Sequence, residues 1–90
     1  MIERRTIHVT GHVQGVYFRN SAKEQAEALG LAGFVHNEPD GSVRVVIEGE
    51  PEQLDQFVAW CGEGPPDAAV ARVDVTDEDP EGLQGFAVRR

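Results

Sequence analysis

Arg4-Arg5-Thr6-Ile7-His8-Val9-Thr10 and Phe18-Arg19-Asn20-Ser21-Ala22-Lys23-Glu24-Gln25-Ala26-Glu27-Ala28-Leu29 flank a glycine-bearing junction and follow different periods. In the first, Arg5, Ile7 and Val9 share one face while Thr6, His8 and Thr10 share the other. That is the two-residue alternation of a half-buried strand rich in β-branched side chains. In the second, Phe18, Ala22, Ala26 and Leu29 recur at helical spacing as one apolar stripe, with Lys23, Glu24 and Glu27 off it. The change of period predicts a strand over about 4–10 that stops at Gly11. A helix over about 18–29 follows, ended by Gly30 in the left-handed conformation that often succeeds a helix.

Outward from this pair the pattern continues. Ala32-Gly33-Phe34-Val35-His36-Asn37 reads as a strand, and Pro39-Asp40-Gly41 supplies turn chemistry. Val43, Val45 and Ile47 then alternate with Ser42, Arg44 and Val46, which completes a hairpin. A second helix starts near Pro51, buries Leu54, Phe57, Val58 and Cys61 on one stripe, and is ended by Gly62. Ala71, Val73 and Val75 alternate with Arg72, Asp74 and Thr76 as a further strand, and Phe86-Ala87-Val88 adds a short last one. The order β-α-β-β-α-β, plus an edge strand, predicts an α+β ferredoxin-like sandwich: an antiparallel sheet with two helices on one face. That fold hosts many activities and by itself selects none.

Composition removes several classes. Ninety residues make one domain, 1–90. With 16 acidic against 8 basic residues the formal net charge is −8, which argues against general nucleic-acid binding and against attraction to an anionic membrane surface. One cysteine leaves no internal disulfide and no cysteine-rich zinc site. No apolar run approaches the length of a bilayer span, and the N-terminus lacks the apolar core of a signal peptide. A cytoplasmic monomer acting on a small molecule is the expectation.

The junction carries the chemistry. Gly11-His12-Val13-Gln14-Gly15-Val16-Tyr17-Phe18-Arg19 joins a strand to a helix N-terminus. Its glycines let the backbone bend tightly, so that successive amides can converge on an anion. The helix adds unpaired N–H groups and the positive end of its dipole. Arg19 lies in the first helical turn, where the dipole disfavours a cation. A planar guanidinium tolerated there suggests a grip on an oxyanion. The glycine spacing and the missing Lys-Ser/Thr exclude a nucleoside triphosphate loop of the Walker type.

The same nine residues resemble the signature of the acylphosphatase family, Gly-x-Val-Gln-Gly-Val-x-Phe-Arg, at every specified position. Gly33-Phe34-Val35-His36-Asn37 followed by Asp40-Gly41-Ser42-Val43 resembles a second family segment, and Gly64-Pro65-Pro66 with Ala69-Val70 is similar to the loop into its fourth strand. The resemblance implies a small hydrolase cleaving the carboxyl–phosphate bond of acyl phosphates. It implies phosphate bound by the backbone of Gln14, Gly15 and Val16 and by Arg19, which also stabilises transition-state charge, and an attacking water held by Asn37. It also implies that no metal and no organic cofactor is needed. Positioning and charge stabilisation dominate phosphoryl transfer. A neutral carboxamide such as Asn37 can orient a water without acting as a strong base.

Blander readings stand beside these. Arg19 alone would read as a salt-bridged surface residue, and Asn37 alone as a turn residue. Gln14 can shape the loop with its side chain. His8, His12 and His36 show no evident carboxylate partner and read as partly exposed. Cys61 reads as a buried inert thiol, Phe18 as core and Trp60 as half-buried. Asp77-x-Asp79-x-Glu81-Gly82 superficially matches a calcium loop, but its twelfth position is Val88 instead of an acid. The acidic runs 48–55 and 74–81 are distant in sequence from the loop. A non-catalytic module that binds a small anion is the competing function, separated by measurable hydrolysis. A domain detached from a larger carbamoyl-transfer factor is disfavoured by the single cysteine and the end at Arg90.

Overall fold

A computed structural model describes residues 1–89. Its elements are β1 (Glu3–His12), α1 (Phe18–Ala28), β2 (Ala32–Asn37), β3 (Val43–Gly49), α2 (Pro51–Glu63), β4 (Ala69–Glu78) and β5 (Phe86–Val88). The strands form one sheet in the order β4-β1-β3-β2-β5. The first four pair antiparallel and β5 lies parallel to β2, so the ferredoxin-like sheet is antiparallel except at one edge.

The alternation becomes burial. Ile7 and Val9 on β1, Val35 on β2, and Val43, Val45 and Ile47 on β3 are completely enclosed. They meet Phe18, Ala22 and Ala26 of α1 and Leu54, Phe57 and Cys61 of α2. Burying apolar area at about 25 cal/mol per Å² makes this layer the main stabilising contact of a small domain. Phe18 and Phe57 both pack on the half-buried Trp60, with ring centroids 5.2 and 5.8 Å apart. Burial pushes the Cys61 thiol well above its ordinary range, so it is an inert core group.

Three boundaries differ from the expected ones, each for a backbone reason. Strand β1 does not stop at Gly11; it passes a bulge between Thr10 and Gly11 and pairs through His12. Gly11 has φ 122, and a Cβ there would collide with the carbonyl of Ala69, so glycine is what lets the two strands stay paired. Strand β4 is correspondingly longer than 71–76, because its edge follows the whole of β1. Helix α2 runs through Gly62 and ends at Glu63, with Gly64 at φ 69 donating its N–H to the Trp60 carbonyl at 2.8 Å. Pro65 explains the stop, since the residue before a proline is pushed out of the helical region. Helix α1 closes as expected: Gly30 N–H bonds the Glu27 carbonyl and Leu31 N–H that of Ala26.

Residues 79–85 must carry the chain from one sheet edge to the other. Buried Glu48, on the face away from the helices, holds that crossing. Its carboxylate accepts N–H bonds from Glu81, Gly82 and Leu83 and a guanidinium bond from Arg4 at 3.2 Å. Burial alone would raise the Glu48 pKa, but these donors outweigh it and hold the carboxyl below its ordinary range. No helix among the described residues is long and apolar enough to cross a membrane.

Candidate active site

The segment after β1 is pinned to the core at every second or third residue. Val13, Val16 and Phe18 are buried, while Gly15 and Tyr17 face outward. Two left-handed residues produce this path, Gly15 at φ 75 and Tyr17 at φ 63. At Gly15 the lack of a Cβ removes the strain. Among the described residues, the N–H groups of Gly15, Val16 and Tyr17 donate to no protein acceptor. The first-turn amides of α1 are free by construction of a helix. The segment therefore presents consecutive unpaired donors beside the positive end of a helix.

Gln14 fastens this segment from below. Its side-chain amide donates to the carbonyls of Glu38 and Ser42 at 2.8 and 2.9 Å, tying the loop to the turn between β2 and β3. That turn is itself braced. Asp40 accepts from the Ser42 N–H at 3.0 Å and from its hydroxyl at 2.6 Å. With the hydroxyl proton committed to Asp40, the His8 Nε2–H must donate to Ser42 Oγ, 2.7 Å away. The Ser42 hydroxyl and then its amide hold the Asp40 carboxyl below its ordinary range. Asn37, the last residue of β2, stands at the mouth of the same turn.

Gly15, Tyr17, Arg19, Asn20 and Asn37, floored by Val13 and Phe18, enclose a pocket of about 310 Å³. It brings Arg19 and Asn37 together with the Gly15 backbone, 22 residues apart in the chain at their widest. Gln14 and Val16 do not line it. Their side chains point to the turn and the core, so they reach an anion only through the backbone they position.

Arg19 is distinguished by its lack of a counter-ion. Arg4, Arg5, Arg44 and Arg72 each lie within 4.0 Å of a carboxylate. Among the described residues Arg19 meets none; its Nη1 donates to the carbonyl of Arg89 at 3.0 Å. Among the described residues the bland reading of a salt-bridged surface arginine therefore finds no partner. Arg89 is held in turn, its N–H on the Val35 carbonyl at 2.8 Å and its guanidinium 3.7 Å above the Phe34 ring. Arg90 lies outside the described residues.

Most residues of the acidic runs lie toward the other end of the sheet, with Asp74 opposite His8 in mid-strand. Arg4, beside Glu48, Glu78 and Glu81, is eight residues from His12 along β1, roughly 26 Å at ~3.3 Å per residue. That exceeds a Debye length of ~8–10 Å severalfold, so bulk acidity does not govern the pocket. Nearer, Glu38 is neutralised by Arg44 at 3.1 Å and meets His36 Nε2 at 2.7 Å. The histidines therefore do not all lack a carboxylate partner. Residues 36 and 38 sit two apart in extended backbone and point the same way, a signal available in the sequence. No group of three or more candidate metal ligands occurs among the described residues.

Residues to which the sequence reading gave no place at the site include Asn20 and Tyr17, which lie on the wall; His8, Asp40 and Ser42 were noted there, but not as the brace of the turn. Tyr17 was visible only as the unspecified position inside the nine-residue motif.

Known proteins align with this arrangement. A sequence model of the acylphosphatase family matches residues 5–88. The acylphosphatase of Rubrobacter xylanophilus is 50% identical over 88 residues, covering 97% of this chain and 80% of its own. The structure of an acylphosphatase from Coxiella burnetii superposes with a TM-score of 0.95 at 39% identity, over 98% of this chain and 93% of that one. The crystal structure of acylphosphatase from Bacillus subtilis gives 0.93 at 36% identity over all of both chains.

Proposed function

This chain belongs to the acylphosphatase family and hydrolyses acyl phosphates, and we propose that Arg19, Asn37 and the backbone of residues 14–16 carry the reaction in the pocket between β1, α1 and β2. The observation that supports this assignment is the Arg19 guanidinium, which meets no carboxylate among the described residues, on one wall with unpaired loop amides and with Asn37.

In this reading the phosphoryl oxygens take the N–H groups of the loop and the guanidinium of Arg19. The Arg89 carbonyl holds one nitrogen of that guanidinium, so the planar fork meets the substrate already oriented. Asn37 accepts a hydrogen bond from a water with its carbonyl oxygen and directs it at phosphorus. A bond forms from the water oxygen to phosphorus while the bond from phosphorus to the acyl oxygen breaks. The carboxylate leaves with the electron pair, and the water's proton passes to a phosphate oxygen or to bulk water. A carboxylate is a good leaving group, so no general acid is required. Catalysis then rests on positioning and on donors aimed at developing charge.

The test is hydrolysis of benzoyl phosphate with EDTA present, for the wild type and for Asn37→Ala. The expected result is hydrolysis that EDTA leaves intact, with kcat falling roughly 100-fold in the variant while inorganic phosphate still binds. An Asn37→Ala protein that kept most of its turnover would remove the water-positioning role. A rate profile governed by an enzyme group titrating near neutrality would remove the proposed route of the proton.

A further inference from the structure

We propose that the side chain of Tyr17 determines which acyl phosphates this chain prefers, by forming the apolar rim against which the acyl group lies; the inference rests on the hydrolysis assigned above.

Three observations converge on this residue. Tyr17 is the sole non-glycine residue with positive φ among the described residues, at φ 63 and ψ 22. It occupies the N-cap of α1, where its side chain makes no capping bond. Serine, threonine, aspartate or asparagine would satisfy a helix amide there, and glycine would relieve the left-handed backbone. Finally, its ring is 77% exposed, so it adds almost nothing to the core. Fold stability thus disfavours tyrosine at this position on two counts and gains nothing from it on the third. A residue that costs backbone strain and returns no packing points to function at the surface it faces.

That surface is the pocket. Met1, Ile2, Tyr17 and Val75 are the large apolar side chains left exposed among the described residues, and Tyr17 is the one on the pocket wall. The floor and the Arg19 wall take the phosphoryl end of the substrate, so the acyl end must project toward the mouth. Val13 and Phe18 are buried beneath and offer little apolar area there. The exposed tyrosine ring is the group able to cover an aromatic or long aliphatic acyl chain, whereas an acetyl group is too short to use much of it.

The experiment compares benzoyl phosphate with acetyl phosphate for the wild type, Tyr17→Gly and Tyr17→Phe. Glycine keeps the left-handed backbone, so loss of the ring is separated from loss of the loop. We expect the benzoyl-to-acetyl ratio of kcat/KM to fall roughly fivefold in Tyr17→Gly, through KM, as for one lost aromatic contact. Tyr17→Phe should keep the wild-type ratio. Equal losses on both substrates, or no change on either, would overturn the specificity role and leave hydrolysis itself standing. A wild type that cleaved neither anhydride would overturn the assigned reaction, and this inference with it.

Discussion

The two ends of the sheet solve the same electrostatic problem differently. At one end, amides of residues 81–83 and the guanidinium of Arg4 converge on the carboxylate of Glu48. At the other, amides of residues 15–17 and the guanidinium of Arg19 border a pocket to which no carboxylate among the described residues is bound. The donor sets are alike: consecutive N–H groups plus one arginine. The difference is whether a carboxylate of the chain completes them. A set completed internally stabilises the fold, since removing one member leaves buried groups unpaired. A set left open keeps its attraction for a ligand that brings the charge. The comparison also explains how an acidic protein can bind an anion: the cluster of Glu48, Glu78 and Glu81 lies a sheet's length away, and the nearer Glu38 and Asp40 are occupied by Arg44 and Ser42.

The comparison breaks first at its arginines. Arg19→Gln should lower kcat/KM by roughly 100- to 1,000-fold, weakening phosphate binding and turnover together. Thermal unfolding of that variant should stay near wild type, because Arg19 closes no ion pair among the described residues; a large fall in Tm would show that the open set is structural after all. Glu48→Ala should do the reverse. Three amides lose their acceptor and Arg4 keeps Glu78 and Glu81 but loses its buried partner, for an expected loss of about 3 kcal/mol, or about 15 °C in Tm for a domain this small. The fraction still folded should hydrolyse acyl phosphates at the wild-type rate, measured below its transition.

Gln14→Ala should fall between the two. It frees the Glu38 and Ser42 carbonyls, for about 1 kcal/mol of stability, and loosens the loop, for about a tenfold loss in kcat. A loss in stability with kcat unchanged would make Gln14 a fold residue alone.

Acid gives the smallest and most gradual distinction. The carboxyls of Glu48, Glu78 and Asp40 are held below their ordinary range in the folded chain. Each therefore adds stability that is complete above about pH 4.3, the ordinary glutamate value, and is lost as pH falls toward its depressed folded pKa. Urea unfolding should show stability declining below about pH 4.5. Glu48→Gln should flatten part of that decline, and an unchanged slope would exclude Glu48 as a contributor.

Much of this was legible in the chain before any coordinates. The strand β2 (Ala32–Asn37), the start of α1 at Phe18, the helix start at Pro51 and the αL close at Gly30 all follow from short-range rules. Side-chain period, proline geometry and glycine conformation act within a few residues. The nine-residue motif also marked Arg19 as a cation in the wrong part of a helix. The end of α2 was misplaced because two glycines competed and the proline after the second decides the matter. The extension of β1 past Gly11 was hidden because it depends on the backbone of Ala69, nearly sixty residues away.

Local periodicity and turn chemistry, then, determined the elements of this protein and their order, and the nine-residue motif marked the candidate anion-binding loop. The tertiary structure alone decided that Arg19 meets no carboxylate among the described residues while Arg4 meets three, that Gln14 braces the loop against the Ser42 turn, and that Tyr17 stands exposed at the mouth of the pocket. Those are questions of which groups from distant strands come within hydrogen-bonding reach, and spacing along a chain carries no record of them.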